Sequence, residues 1–285
     1  MKKFLSIILA AAMLFTAAAL ITSCGNTSSD NTLKVIDIPL TNEEYAYGVA
    51  KGDAELLAEI NSFLADIKAN GKFDEIVNKY FGDGTPTGVT SAAEDSSKDQ
   101  LVVATYAAFA PFEYKEGDTY YGVDMEIMAL FAQHLGRELV IANMEFESVC
   151  TAVSQGMCDI AAAGLTVNDT RKQIIDFSDS YYNASQVVIT KGSDTAFDSC
   201  KTAEDVEAVL NALTSSTKIG VQNGTTGQFY VSGDEEWGFA GLPTTCVGYE
   251  VGALAAQDIL NGNVQYVIID IAPAKEIVSN INALN

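Results

Sequence analysis

Arg171 is the residue whose surroundings point most directly to ligand chemistry. It follows an apolar run that ends at Gly164, and the hydroxyl of Thr166 lies between the two in sequence. A guanidinium can hold both oxygens of a carboxylate at once, and hydroxyls or N–H groups freed at a strand end add further donors. The spacing therefore favours a carboxylate-binding loop. A solvated arginine on a surface loop is the alternative that spacing alone leaves open.

The start of the chain has the pattern of an export signal. Two lysines precede an apolar stretch, residues 4–20, which is short for a membrane span and is followed at once by polar residues. Its end, LITSC at residues 20–24, resembles the lipobox of bacterial lipoproteins. The resemblance implies a signal peptide over residues 1–23, a lipid on Cys24 and a tether over residues 24–32. An ordinary signal peptide with a chance cysteine is the alternative.

The sequence contains little evidence for a metal-binding or cofactor-binding site. The only histidine is His134, which lies inside an apolar helical pattern, and no Cys-x-x-Cys spacing occurs. Neither a zinc site nor a histidine-based triad is expected, and no metal or cofactor is predicted. Export would permit disulfides. Two pairings are hypotheses, with free thiols as the alternative: Cys150 with Cys158, and Cys200 with Cys246.

The charge balance excludes one class of partner. The chain has 38 acidic and 16 basic residues, a net charge of −22, and the acids are scattered along it. Such a surface repels nucleic acid and anionic lipid. Nucleic-acid binding is therefore not expected, and the charge by itself identifies no ligand.

Short β-branched runs alternate with helical periods along the chain. The predicted strands are Leu33–Ile38, Leu101–Thr105, Leu139–Asn143, Asp159–Ala163, Gln186–Thr190, Lys218–Gln222 and Val264–Asp270. The predicted helices are Asp53–Asn70, Lys72–Phe81, Asp124–Leu135, Ala203–Leu213, Ala253–Leu260 and Ala272–Ser279. This alternation predicts an α/β fold built on mainly parallel sheets. Residues 82–100 are small and polar with Pro and Gly, and they predict a flexible linker.

Five motifs, in one relative order, resemble a known family: the type II solute-binding proteins of polar amino-acid ABC transporters (solute-binding protein family 3). They are LVVATYAAFAPFEY (101–114), YYGVDMEIMALFAQHLG (120–136), MEFESVCTAVSQGMCDIAAAGLTVNDTRKQIIDFSDSYY (144–182), IGVQNGTTGQFY (219–230) and VQYVIIDIAPAKEIV (264–278). The resemblance implies a two-lobe type II periplasmic-binding-protein fold, with two mainly parallel sheets, flanking helices and a two-stranded hinge.

The order of segments departs from the family pattern. Residues 31–82 resemble the family's C-terminal segment, yet they precede the other motifs. The resemblance therefore implies a circular permutant in which residues 82–100 join the usual termini. Lobe 1 is expected over residues 47–182, and lobe 2 over residues 33–41 and 186–285. A monomer is expected, with exchange of the first segment between neighbouring chains as the alternative.

The same resemblance assigns ligand contacts residue by residue. The α-carboxylate is expected on Arg171, Thr166, Thr225 and Thr226, the α-ammonium on Asp270 and the carbonyl of Gly164, and the side chain beside Phe109, Phe146 and Tyr106. Alternative roles stay open for three of these residues. Phe109 and Phe146 could be core aromatics, and Asp270 could be a helix cap.

The function implied is capture of a free L-amino acid and its delivery to an ABC permease with its ATPase. The protein would be exported and lipid-anchored on the outer face of the cell membrane. Tyr106 and Ala108 stand where binders of basic amino acids often have an acid. A neutral ligand is therefore favoured. The alternatives are a secreted dehydratase-like enzyme of the same fold, with Asp270 or Glu147 as general acid, and a scaffold lipoprotein or remnant that binds nothing.

Overall fold

The protein is described by a computed structural model that covers residues 31–285. The expected signal peptide, Cys24 and most of the expected tether lie outside the described residues. Within the described range, no helix is both long and apolar enough to cross a membrane.

Strands and helices alternate through the described chain. The strands are β1 (Leu33–Ile36), β2 (Glu43–Tyr45), β3 (Gly48–Ala50), β4 (Gln100–Thr105), β5 (Ala108–Phe109), β6 (Glu113–Glu116), β7 (Thr119–Tyr121), β8 (Glu138–Asn143), β9 (Ile160–Ala161), β10 (Ile175–Phe177), β11 (Tyr182–Ala184), β12 (Gln186–Lys191), β13 (Lys218–Gln222), β14 (Thr245–Tyr249) and β15 (Tyr266–Asp270). The helices are α1 (Ala54–Ala69), α2 (Lys72–Phe81), α3 (Val123–Leu135), α4 (Phe146–Ser154), α5 (Asp169–Lys172), α6 (Ala203–Asn211), α7 (Thr226–Ser232), α8 (Gly252–Asn261) and α9 (Ile271–Leu284).

Two five-stranded sheets form the centres of two lobes. Lobe 1 has the strand order β10-β3-β9-β4-β8, and lobe 2 has the order β1-β12-β15-β13-β14. Three strands of each sheet are parallel, β9-β4-β8 in lobe 1 and β15-β13-β14 in lobe 2. The remaining pairs are antiparallel. The sheets are therefore more mixed than the sequence predicts, because β3 and β12 enter directly from the connection between the lobes and run against the parallel strands.

The connection between the lobes is a two-stranded antiparallel ribbon. β2 pairs with β11, so that Tyr45 lies opposite Tyr182 and Glu43 opposite Ala184. β2 leads into β3 of lobe 1, and β11 leads into β12 of lobe 2. We refer to this pair of strands as the hinge ribbon.

Residues 82–100 pack along lobe 1, where composition predicts a flexible linker. Val89 exchanges two backbone hydrogen bonds with Tyr120. The amide of Ala92 donates to the carbonyl of Leu139 at 2.8 Å, and the hydroxyl of Ser91 accepts from the amide of Ile141, also at 2.8 Å. Small polar residues can follow a sheet edge through backbone bonds and short hydroxyl side chains, which composition does not reveal.

The helices that flank lobe 1 follow from their sequence patterns. The carboxylate of Asp53 caps α1 by accepting from the amide of Leu56 at 3.0 Å, and the apolar stripe of α1 is buried. α3 ends at Gly136, whose φ of +72° is the left-handed conformation that glycine adopts without strain. In α9, the side-chain oxygen of Asn282 accepts from the backbone N–H of Leu33 at 2.8 Å, and its side-chain NH₂ donates to the carbonyl of Leu33 at 2.9 Å. The last helix is therefore fixed against β1.

Candidate functional site

The candidate ligand residues lie where strands of both lobes end. Asp270 is the last residue of β15, and Thr225 and Thr226 stand at the start of α7, just after β13. Gly164 and Thr166 follow β9 in lobe 1. Ligands of open α/β sheets bind beyond the carboxyl ends of strands. The two sheets therefore present these residues to each other across a cleft.

Arg171 is held in the cleft by local structure. It lies in the short helix α5, where its amide donates to the Oδ1 atom of the capping Asn168 at 2.8 Å. Its guanidinium donates to the carbonyl of Thr166 at 2.7 Å and, across the cleft, to the carbonyl of Gly224 at 3.1 Å. These bonds fix the orientation of the guanidinium.

Two aromatic rings flank the same guanidinium. The centroids of Phe146 in lobe 1 and Trp237 in lobe 2 both lie 5.2 Å from its central carbon, within the range of cation–π attraction. Arg171 is only 8 % exposed. Burial lowers its pKa. In the described part of the chain, no carboxylate lies within ion-pairing distance of it. A buried cation without an acidic partner is a site for an anion.

Asp270 is the opposite charge of the site. Its carboxylate is 5 % exposed and accepts from the hydroxyl of Tyr45 in the hinge ribbon. Although it stands at the N-cap position of α9, its side chain makes no capping bond. The helix-cap alternative therefore lacks support. Burial raises the pKa of Asp270 to about 7, and the nearby charge of Glu43 adds to the shift.

The threonine hydroxyls have a partner that sequence reasoning missed. Thr166 and Thr226 donate to one oxygen of Glu43, Oε2, at 2.9 and 2.7 Å. The hydroxyl of Thr225 donates to the carbonyl of Gln222 and caps α7. All three hydroxyls therefore already donate hydrogen bonds within the protein. The only signal for Glu43 in the sequence is its place between residues 41 and 47, where the chain is expected to pass from lobe 2 to lobe 1.

Gly164 is fixed by its surroundings. It has a φ of +51°, and a Cβ atom there would lie 2.9 Å from the ring of Phe109. Its amide donates to the buried carboxylate of Asp124 at 2.9 Å. Burial raises the pKa of Asp124 to about 6. Burial, followed by the charge of Asp124, raises the pKa of the fully buried Glu113 well above its usual value.

The predicted aromatic residues occupy different depths. Phe109 is 7 % exposed and stacks on Phe112, with ring centroids 6.2 Å apart, so it has the character of a core residue that borders the site. Phe146 is half-buried and meets the ring of Tyr106 edge-on at 6.3 Å. The hydroxyl of Tyr106 donates to the carbonyl of Glu250 in lobe 2. This contact and the bond from Arg171 to Gly224 join the two lobes directly.

Two further predictions can be placed. Glu147, a proposed general acid, is exposed. The four described cysteines are all free thiols: Cys150, Cys158, Cys200 and Cys246. The two disulfide hypotheses are therefore wrong in this structure. Burial raises the pKa of Cys158 to about 11, as expected of an inert thiol.

Two lobes joined by a hinge ribbon, with oppositely charged buried groups facing across the cleft, define a solute-binding architecture. The chain belongs to the bacterial extracellular solute-binding proteins, family 3, which it matches over residues 7–83 and 101–232. The family is one of solute-binding proteins. The expected two-lobe fold is thereby confirmed.

The relatives bind amino acids. The chain is 36 % identical over 107 residues to the arginine-binding extracellular protein ArtP of Bacillus subtilis. The matched region covers 38 % of this chain and 42 % of ArtP. The chain spans about half the length of the curated relatives it matches. Helices and sheets also superpose on arginine-bound, truncated ArgBP from T. maritima, with a TM-score of 0.53 and 29 % identity over 64 % of this chain and 78 % of that one.

A second similar structure is that of an enzyme precursor. The ancestral amino-acid-binding protein AncCDT-1, a precursor of cyclohexadienyl dehydratase, superposes with a TM-score of 0.52 and 26 % identity. The superposed region covers 65 % of this chain and 74 % of AncCDT-1.

Proposed function

We propose that this chain captures a free L-amino acid in the cleft between its lobes. The observation that carries the proposal is the pair Arg171 and Asp270, buried in opposite lobes and each without an oppositely charged side chain within ion-pairing distance in the described residues. Buried charges are normally paired. A zwitterion supplies both missing partners at once, its carboxylate for Arg171 and its ammonium for Asp270.

The fixed donors and acceptors suit that binding mode. Two N–H groups of Arg171 are already bonded to the carbonyls of Thr166 and Gly224, which leaves others of its five for a carboxylate. The carbonyl of Gly164, set by its own amide bond to Asp124, is proposed to accept from the ammonium. The start of α7 at Thr225 and Thr226 adds backbone N–H groups to the carboxylate side.

In this proposal the bound amino acid passes to an ABC permease with its ATPase. The family membership and the amino-acid-binding relatives support this role. Export and lipidation of Cys24, which would hold the protein on the outer face of the cell membrane, are proposed from the lipobox resemblance. The protein is proposed to act as a monomer.

We further propose that the chain is a circular permutant of its family. The family match is split at residues 83 and 101. β1 joins the sheet of lobe 2 beside β12, and Asn282 near the chain end bonds Leu33. A rearranged gene that places residues 31–82 after residue 285 tests this idea. We expect it to yield a protein with the same ligand and a similar melting temperature; an insoluble or non-binding product would contradict it.

An enzyme of the same fold is the second candidate function. A buried carboxyl group with a pKa of about 7, such as Asp270, could donate a proton at neutral pH. The likeness to a dehydratase precursor adds some support. The exposed position of Glu147 does not.

One thermal-shift screen separates these functions. The folded protein, first unfolded and refolded to remove bound ligand, is tested against the twenty amino acids and against arogenate and prephenate. We expect one amino acid, or one group of similar amino acids, to raise the melting temperature, because ligand that binds only the folded state stabilises it. Turnover of arogenate or prephenate would favour the enzyme. No shift with any of these compounds, and no turnover of arogenate or prephenate, would leave only the non-binding scaffold.

A further inference from the structure

Glu43 is a buried carboxylate whose charge has no direct counter-ion. It begins β2 of the hinge ribbon and is 7 % exposed. Its four donors are all neutral groups: the hydroxyls of Thr41, Thr166 and Thr226 and the amide of Gln186 at 3.0 Å. Within residues 31–285, no lysine, arginine or histidine lies within ion-pairing distance of it. Hydrogen bonds satisfy its oxygens but leave its charge in place.

Glu43 lies close to the two charges assigned to the ligand. Gln186, whose amide donates to Glu43, pairs directly with Asp270 across β12 and β15. Thr166 joins Glu43 to Arg171, because its hydroxyl donates to the first and its carbonyl accepts from the second. The negative charge of Glu43 also acts on the titration of both Asp270 and Arg171. All three charged groups therefore share one desolvated site.

The site holds two carboxylates and one cation: Glu43 and Asp270 against Arg171. The buried side-chain oxygen of Gln186, which lies between the two carboxylates, has no donor among the described residues. A neutral amino acid would bring one negative and one positive group, which match Arg171 and Asp270. The charge of Glu43 would then remain uncompensated. In a buried site such a charge acts over several ångströms with little screening.

We infer that Glu43 makes the cleft selective for amino acids with a cationic side chain. This inference rests on the proposed function and names the charge class of its ligand. A cationic side chain brings the charges of ligand and site into balance, whether or not it touches the Glu43 oxygens. The loop residues Tyr106 and Ala108, which favour a neutral ligand in the sequence, do not include this hinge carboxylate. The preference therefore comes from the hinge ribbon, not from the loop.

Matched ligands test the charge directly. L-arginine and L-citrulline have side chains of the same length, one with a guanidinium and one with a neutral ureido group, and L-lysine and L-norleucine form a second pair. Isothermal titration calorimetry on the ligand-free protein at pH 8 gives all four dissociation constants. We expect arginine and lysine to bind at least about tenfold more tightly than their neutral partners, the effect of a charge interaction of about 1.4 kcal/mol.

Three variants then assign the preference to Glu43. Glu43→Gln removes the charge and keeps the shape, so the ratio between each pair should fall about tenfold while binding of citrulline and norleucine stays within about threefold of wild type. Glu43→Asp keeps the charge and should keep most of the ratio. Glu44→Gln removes the neighbouring, exposed carboxylate and should change nothing.

Three outcomes would overturn the inference. The wild-type protein could bind both members of each pair equally or prefer the neutral one, or Glu43→Gln could leave the affinity ratio within each pair unchanged. Glu43→Gln could also lose all four ligands equally, which would make Glu43 a structural bridge between the lobes. If Glu43→Gln does not fold, the wild-type ratios and Glu43→Asp still decide. A wild-type protein that binds no amino acid would instead contradict the proposed function itself.

Discussion

The hydroxyl of Tyr45 donates a hydrogen bond to the carboxylate of Asp270, so that the hinge ribbon contacts the ammonium side of the proposed site directly. Both groups are buried. The bond lowers the pKa of Asp270 against the larger effect of burial, which raises it. A change in the angle between the lobes would alter this bond and the ionisation of Asp270 together.

The first prediction concerns Tyr45→Phe, which removes this donor. The pKa of Asp270 should rise further above its usual value, because the ionised carboxylate loses a stabilising bond. The pH midpoint of amino-acid binding should then move upward, and affinity above that midpoint should change little. Calorimetric titrations of wild type and variant between pH 6 and pH 9 measure both quantities. A midpoint that stays in place or moves down would contradict the assignment.

The second prediction is that ligand affinity falls as the pH drops below about 7. In the proposed binding mode the ammonium pairs with ionised Asp270, and burial raises the pKa of this carboxyl group to about 7 in the ligand-free protein. Each pH unit below that value should weaken binding by up to about tenfold. Asp270→Asn should flatten this dependence and bind weakly at every pH. A wild-type affinity that is constant from pH 5.5 to pH 8 would remove Asp270 from the ammonium site.

The third prediction concerns the stability of the ligand-free protein. Because burial raises the pKa of Asp270 above its unfolded value, its contribution to folding is fully present below about pH 4 and is lost as the pH rises through about 7. Asp270→Asn should therefore raise the melting temperature of the ligand-free protein at pH 8, and this gain should shrink at pH 5. Thermal unfolding followed by circular dichroism at both values measures the difference. An equal gain at both values would point to a cause other than charge.

The fourth prediction concerns Arg171. Replacement by alanine should weaken amino-acid binding by about 2–5 kcal/mol, the usual range for one member of a desolvated charge pair. Lysine should restore only part of the loss, since a point charge cannot form the bidentate fork. Arg137, on the surface of lobe 1 and paired with Asp99, provides the control, and Arg137→Ala should bind normally. Calorimetry that finds an unchanged dissociation constant for Arg171→Ala would exclude it from the site.

The fifth prediction uses Trp237, the only tryptophan of the chain. Its ring lies on the guanidinium of Arg171 and 4.5 Å from the ring of Phe229. A carboxylate that binds Arg171 changes the field at the indole, so ligand should change the intrinsic fluorescence in a saturable way. Arg171→Ala should abolish the change, and Trp237→Phe should remove the signal while a thermal shift persists. Fluorescence that ignores a ligand detected by calorimetry would contradict this geometry.

The long elements could be predicted because their apolar period is long enough to be recognised. Asp53–Asn70 is predicted as a helix, and the structure has Ala54–Ala69. Short elements such as the hinge strand Glu43–Tyr45 and the helix Thr226–Ser232 have too few residues for a period to appear. They depend on partners elsewhere in the chain.

The candidate site shows the same limit. Arg171 and Asp270 could be proposed from sequence motifs that resemble the family, because Arg171 follows an apolar run that ends at Gly164 and Asp270 ends another. Glu43 could not, since its role depends on Thr166 and Thr226, which lie 123 and 183 residues away in the sequence. Only the folded chain brings these three together. The expectation of a neutral ligand, which rests on Tyr106 and Ala108, therefore does not include the charge of Glu43 in the hinge ribbon.

The position of β1 also determines how the molecule responds to force. β1 is the edge strand of lobe 2, bonded antiparallel to β12 and, through Asn282, to the last helix. Tension on the chain that precedes Leu33 is carried first by these hydrogen bonds and by the bond from the amide of Gly192 to the carbonyl of Thr32. The hinge ribbon and lobe 1 lie beyond that attachment. A pull at this end therefore reaches lobe 2 before it reaches the hinge ribbon, and it acts on the angle between the lobes only when the opposing force is applied to lobe 1.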